Sequence, residues 1–156
     1  MTVAEKLVEL LKARGLTCAT AESCTGGGVG SAITGVAGSS AVFAGGIISY
    51  SNEVKREVLG VKAETLETVG AVSAETAGQM AEGARRLLKV DLAVSLTGIA
   101  GPDGGSAEKP VGLVWFGLAT KDGVRTEKAI FRGDRAKVRE QAVTHALGML
   151  TVAATI

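Results

Sequence analysis

Three stretches of this chain gather residue types that can do chemistry. The first is Glu22-Ser23-Cys24-Thr25-Gly26-Gly27-Gly28, the second pairs Gly38-Ser39-Ser40 with Tyr50-Ser51-Asn52-Glu53-Val54-Lys55, and the third is the glycine-rich run from Thr97 to Gly105. Each adjoins an apolar run that reads as a strand. In open α/β sheets, ligands collect beyond the carboxyl ends of strands, and three polar segments so placed exceed what packing requires.

In the first stretch a strand runs through small residues into a helix. Backbone N–H groups at such a helix start face an anion, and glycine lets a phosphate approach the main chain. It is not a P-loop, because the Gly-Lys-Ser/Thr ending is missing. It is a poor dinucleotide fingerprint, because Ser31 stands where the third glycine belongs. Thr25, Gly26 and Gly27 therefore offer either a ligand-binding turn or a plain tight connection, and spacing alone leaves both open.

In the second stretch Ser51 or Asn52 caps a helix and places Lys55 in its first turn, where the helix dipole disfavours a cation. Such a lysine is either solvated, the commoner state for the residue type, or has a lowered pKa suited to a general base. Serines in a turn such as Gly38–Ser40 ordinarily bond backbone, and one becomes a nucleophile only with a base in reach. In the third stretch, the amides around Thr97, Gly98 and Gly101 can form an oxyanion hole or substrate cradle, or belong to a surface loop.

Arg135 and Arg139 lie one turn apart and share a helix face, so they either clamp a phosphate or are solvated. Cys24 has no histidine near it in sequence, and His145 reads as a packed or surface residue. Ser106-Ala107-Glu108-Lys109 has Ser-x-x-Lys spacing, but Pro110 and the surrounding glycines argue against the helix that motif needs.

The elements that must position these residues follow from periodicity. Val3, Leu7, Leu10 and Leu11 share one face of a helix over about 3–13, stopped by Gly15. Strands are predicted over 16–21, 42–50 (with Gly45-Gly46 suggesting a bulge) and 92–97. Helices are predicted to about 34 and over 52–59, 63–69 and 74–88, the last capped by Ser73. Lys121-Asp122-Gly123 joins strands 111–120 and 124–131 as a hairpin, and Asp134 caps a final helix to about 154. The order α-β-α-β-α-α-α-β-β-β-α predicts a single α/β domain over 1–156, a mixed sheet flanked by helices.

Composition agrees with that architecture. The 156 residues are 46% hydrophobic with five aromatics, so small aliphatic side chains must build the core. A net charge of +1 excludes a basic nucleic-acid groove. The amphipathic start is no signal peptide and no apolar run reaches membrane-spanning length, which predicts a cytoplasmic protein without a membrane partner. Two cysteines with no Cys-x-x-Cys read as free thiols. No metal-ligand spacing is present, and neither metal nor cofactor is expected.

The segments Ala21-Glu22-Ser23-Cys24-Thr25-Gly26-Gly27, Gly38-Ser39-Ser40, Tyr50-Ser51-Asn52-Glu53-x-Lys55, Gly70-Ala71-Val72-Ser73, Gly98 to Gly105, Lys109-Pro110-Val111-Gly112 and Gly133-Asp134-Arg135 occur in that order. Together they closely resemble the CinA C-terminal domain family, over about 3–150. The resemblance implies a compact α/β fold in its stand-alone form, self-association as a homodimer or higher homo-oligomer, and hydrolysis of the nicotinamide mononucleotide carboxamide to nicotinate mononucleotide and ammonia. It places the catalytic serine on Ser40 and its lysine on Lys55, with Ser23 and Tyr50 as further active-site positions. On that reading Lys55 deprotonates Ser40, amides near Ser40 or in 97–101 hold the oxyanion, and Thr25–Gly27, Arg135 and Arg139 take the 5′-phosphate. The alternatives are a non-catalytic nucleotide-binding module and an amidase for another small amide.

Overall fold

A computed structural model describes residues 1–156. The elements are α1 (Val3–Arg14), β1 (Cys18–Glu22), α2 (Gly28–Thr34), a 3₁₀ turn (Ser39–Ala41), β2 (Phe43–Ile48), α3 (Asn52–Leu59), α4 (Ala63–Thr68), α5 (Ala74–Leu88), β3 (Leu92–Gly98), β4 (Leu113–Thr120), β5 (Gly123–Ile130) and α6 (Arg135–Thr155). They form one five-stranded sheet in the order β2-β1-β3-β4-β5. β1 pairs in parallel with β2 and β3, and the β4–β5 hairpin extends the sheet antiparallel. The predicted single mixed α/β domain is the one observed. The register shift between Cys18 and Ala19 leaves Ala44 unpaired, so a bulge lies beside Gly45.

Helices cover both faces. α1, α2 and α6 pack on one, around a cluster including Leu7, Leu11, Val29, Ile33, Val94, Leu96, Phe116, Val138 and Leu150. α3 and α5 pack on the other around Ala19, Ala21, Leu59, Met80, Ala84 and Ala93. Burial of these side chains is the main driving force for the fold.

Strand alternation divides β1 between the two layers. Cys18 belongs to the α2-side cluster, and Ala19 and Ala21 belong to the α5-side cluster. Continuing the period-2 pattern sends Glu22 toward α2 and Ser23 toward α3.

α3 is held against α5 at Gly83, where any Cβ would collide with the Leu59 carbonyl. That close approach anchors the end of α3. Leu59 and Lys55 are one helical turn apart, share a face, and are both about 1% exposed. α3 thus carries a lysine on its buried side.

Candidate active site

The turn after β1 is built by the chain's own carboxylate. The buried Glu22 side chain accepts from the Thr25 hydroxyl at 2.6 Å, the Val29 N–H at 2.9 Å and the Gly30 N–H at 3.0 Å. Glu22 therefore occupies the N-terminus of α2. The helix start that the sequence offers to a phosphate is already filled, and a second anion there would face an existing negative charge. Gly26 and Gly27 take φ values of 58° and 103°, which β-carbon residues rarely adopt, so they serve the tight turn.

On the opposite side of β1, Lys55 Nζ lies 3.0 Å from Ser23 Oγ, 2.9 Å from the Ser49 carbonyl oxygen and 3.2 Å from the Tyr50 carbonyl oxygen. Ser51 caps α3 by accepting from the Val54 N–H, which sets the helix start and the lysine's position in it. No carboxylate pairs with Lys55. Burial pushes its pKa below the ordinary 10.5, opposed by the neighbouring Cys24. A neutral amine has two N–H donors and one lone pair. Two carbonyl oxygens accept the two donors, and the lone pair is left for the Ser23 O–H. These contacts suit an uncharged base activating a serine hydroxyl.

Ser40 is not in this arrangement. It is exposed, in the 3₁₀ turn before β2, whereas Lys55 binds the carbonyls that follow β2. The 6 residues of β2 separate the two, a span of about 17 Å at roughly 3.3 Å per residue. The expected Ser40–Lys55 pair is therefore corrected to Ser23–Lys55. Sequence reading assigned Ser23 only a supporting role. The signal for a larger one was present in the β1 alternation and in Lys55 sharing a helix face with Leu59.

The other expected site residues divide. Tyr50 contributes its carbonyl to Lys55, and Arg135 Nη2 donates to its exposed phenol oxygen at 3.4 Å. Arg135 Nη1 donates to the Gly101 carbonyl at 2.8 Å, so Tyr50, Arg135 and Gly101 meet beside the site. Arg139 donates to the Cys24 and Thr25 carbonyls at 3.0 and 3.2 Å. Thr97 is 1% exposed and its hydroxyl donates to the Ala71 carbonyl, so it props the segment before α5. Gly98 is pressed against Leu113 and Val114 of the neighbouring strand, and the Ile99 N–H is committed to Leu113.

Two residues were missed. Glu22 organises the turn, and Ser49 supplies one lysine acceptor while its N–H and hydroxyl both donate to the Glu22 carbonyl. Cys24 is buried, and desolvation raises its thiol pKa to about 11, which favours the neutral thiol. Surface pockets of about 530 and 550 Å³ lie elsewhere, one beside Leu16 and the β4–β5 hairpin and one between α1 and α2.

With this geometry in hand, known proteins place the chain. It is 53% identical over 151 residues to nicotinamide-nucleotide amidohydrolase PncC of Escherichia coli, covering 96% of this chain and 92% of that protein. It is 52% identical over 146 residues to a competence-damage inducible protein of Thermoanaerobacter, covering 94% of this chain but 35% of that one, so it spans about a third of those longer relatives. The crystal structure of competence/damage inducible protein CihA from Agrobacterium tumefaciens superposes with a TM-score of 0.95 at 46% identity, covering 99% of this chain and 94% of that one. A CinA superfamily protein from Klebsiella pneumoniae gives 0.94 at 37% identity, covering 98% and 96%. The model for the CinA C-terminal domain matches residues 1–153, and the chain belongs to that family.

Proposed function

We propose that this protein hydrolyses the carboxamide of nicotinamide mononucleotide to nicotinate mononucleotide and ammonia, with Ser23 as nucleophile and Lys55 as base. The observation that carries the mechanism is the buried, unpaired Lys55 amine 3.0 Å from Ser23 Oγ with two carbonyls taking its N–H donors. The substrate is supported by similarity to the Escherichia coli amidohydrolase across nearly the full length of both chains.

In the acylation step the Lys55 lone pair takes the Ser23 hydroxyl proton as Oγ bonds to the carboxamide carbon. The tetrahedral adduct collapses, the C–N bond breaks, and Lys55 returns the proton to the leaving nitrogen as ammonia departs. Water then enters. Lys55 takes its proton, the hydroxide oxygen bonds to the acyl carbon, the ester bond to Oγ breaks, and Ser23 recovers its proton. The cationic pyridinium of the substrate withdraws electrons from the amide and disfavours protonated Lys55 nearby. Arg135, exposed beside Tyr50 and Gly101, is the candidate partner for the 5′-phosphate.

Incubation of the purified protein with nicotinamide mononucleotide, followed by an ammonia assay and product chromatography, tests the reading. Stoichiometric ammonia and nicotinate mononucleotide are expected. No turnover of that nucleotide by the folded protein sinks the substrate assignment.

A further inference from the structure

The turn that carries Ser23 leaves free the backbone donors of two buried residues. The Thr25 N–H donates to no group in the chain, and the Cys24 N–H meets only its own thiol, although both residues are buried. Backbone N–H groups in buried positions are nearly always paired, so an open one next to a nucleophile calls for a reason. Of the neighbouring donors, Gly26 is spent on the Ser23 carbonyl, Gly28 on the Thr25 carbonyl, and Val29 and Gly30 on the Glu22 carboxylate, while the Gly27 N–H is also unpaired but belongs to a half-buried residue.

The two open N–H groups have fixed directions because their peptide units are held from behind. In a trans peptide the C=O and N–H point opposite ways. The Ser23–Cys24 unit is held through its carbonyl by the Gly26 N–H at 3.1 Å. The Cys24–Thr25 unit is held through its carbonyl by Arg139 Nε at 3.0 Å, and Arg139 Nη2 grips the next carbonyl, that of Thr25, at 3.2 Å. With the Cys24 carbonyl aimed at α6, the Thr25 N–H must aim away from α6. The guanidinium lies over Gly26, where a Cβ would stand 3.4 Å from Nη2, so the bare glycine makes room for this clamp.

We propose that the Cys24 and Thr25 N–H groups form the oxyanion hole for the Ser23 adduct, and that Arg139 is a positioning residue that orients the Thr25 donor. This rests on the Ser23 nucleophile of the function proposed above. It reassigns Arg139 from the substrate phosphate to the nucleophile's own turn, and it moves the oxyanion donors from the Thr97–Gly98 segment to the residues directly after Ser23. N–H groups that follow a nucleophile in sequence serve this purpose in other hydrolase turns.

The test is steady-state kinetics with nicotinamide mononucleotide on wild type, Arg139→Ala and Arg139→Lys, with folding of each followed by circular dichroism and thermal melting. Lysine keeps the charge but lacks the fork that reaches two carbonyls. For a positioning role, kcat falls about 100-fold in both variants, the typical loss for one oxyanion donor, while KM stays within about threefold. Added guanidinium should restore part of the Arg139→Ala kcat without raising its melting temperature. A phosphate-gripping Arg139 predicts the reverse, with KM raised in Arg139→Ala, largely retained in Arg139→Lys, and kcat kept. That pattern, or unchanged kinetics, overturns the proposal. Should Arg139→Ala fail to fold, Arg139→Lys carries the decision. A wild type that releases no ammonia brings down the substrate reading and this inference together, whereas an active wild type with unaffected variants brings down this inference alone.

Discussion

The N–H and the hydroxyl of Ser49 both donate to the carbonyl oxygen of Glu22, at 2.7 and 3.2 Å. This pair of hydrogen bonds between strand ends fastens the segment that presents the Lys55 acceptors to the segment that presents Ser23. The 3.0 Å separation of Ser23 Oγ and Lys55 Nζ thus depends on a fully buried serine whose own side chain contacts neither atom.

Ser49→Ala keeps the backbone bond and deletes the hydroxyl bond. Stability should fall by about 1 kcal/mol, the usual net worth of one hydrogen bond, measured by urea unfolding. Turnover should drop by less than about tenfold, since about 1.4 kcal/mol is one factor of ten. A loss as deep as that of Ser23→Ala would mean that Ser49 takes part in the chemistry directly.

Ser23→Ala and Ser40→Ala separate the two serine candidates. Ser23→Ala should lose ammonia release by at least about 1000-fold while folding normally, because no other hydroxyl contacts Lys55. Ser40→Ala should keep near-native kcat. The opposite ranking would return the nucleophile to Ser40.

The buried lysine ties stability and activity to pH. Its folded pKa lies below 10.5, so between the two values the unfolded chain holds more protons at Lys55 than the folded chain. Stability therefore rises with pH across that window, and the penalty is full below it. Measured against Lys55→Met, which removes the titrating group, wild-type stability should gain as pH climbs toward 10.5. Lys55→Met should also abolish turnover. In the wild type, kcat/KM should rise with pH along an acid limb whose apparent pKa is below 10.5. A flat profile through that range would remove Lys55 as the base.

Cys24 follows Ser23 in the chain, and its thiol is buried. With its thiol pKa near 11 by burial, it holds almost no thiolate at pH 8. Iodoacetamide at that pH should leave activity intact over an hour, and Cys24→Ala should retain turnover within a few-fold. Rapid inactivation with label on Cys24 would contradict its burial.

Much of the fold is readable from local pattern. The Asn52–Leu59 and Ala74–Leu88 helices and the hairpin turning at Asp122-Gly123 lie where periodicity, caps and turn residues put them. Strand ends moved by a residue or two, as at β1, predicted from Leu16 but beginning at Cys18, because ladder pairing and not hydrophobicity ends a strand. Lys55 was legible as a residue of chemical interest, yet its burial was not, since a lysine in a first turn is ordinarily solvated.

Sequence by itself determined the family, the α/β layering and the small set of polar segments from which a site had to come, because these follow from motif order, periodicity and turn chemistry. Only the tertiary structure decided which serine meets the lysine, that Glu22 fills the helix start offered to a phosphate, and that Arg139 holds the turn that carries Ser23. The reason is geometric. Ser23 and Lys55 come together through the parallel pairing of β1 with β2 and the docking of α3 on α5. Ser40, closer to Lys55 along the chain, is carried off by the length of one strand.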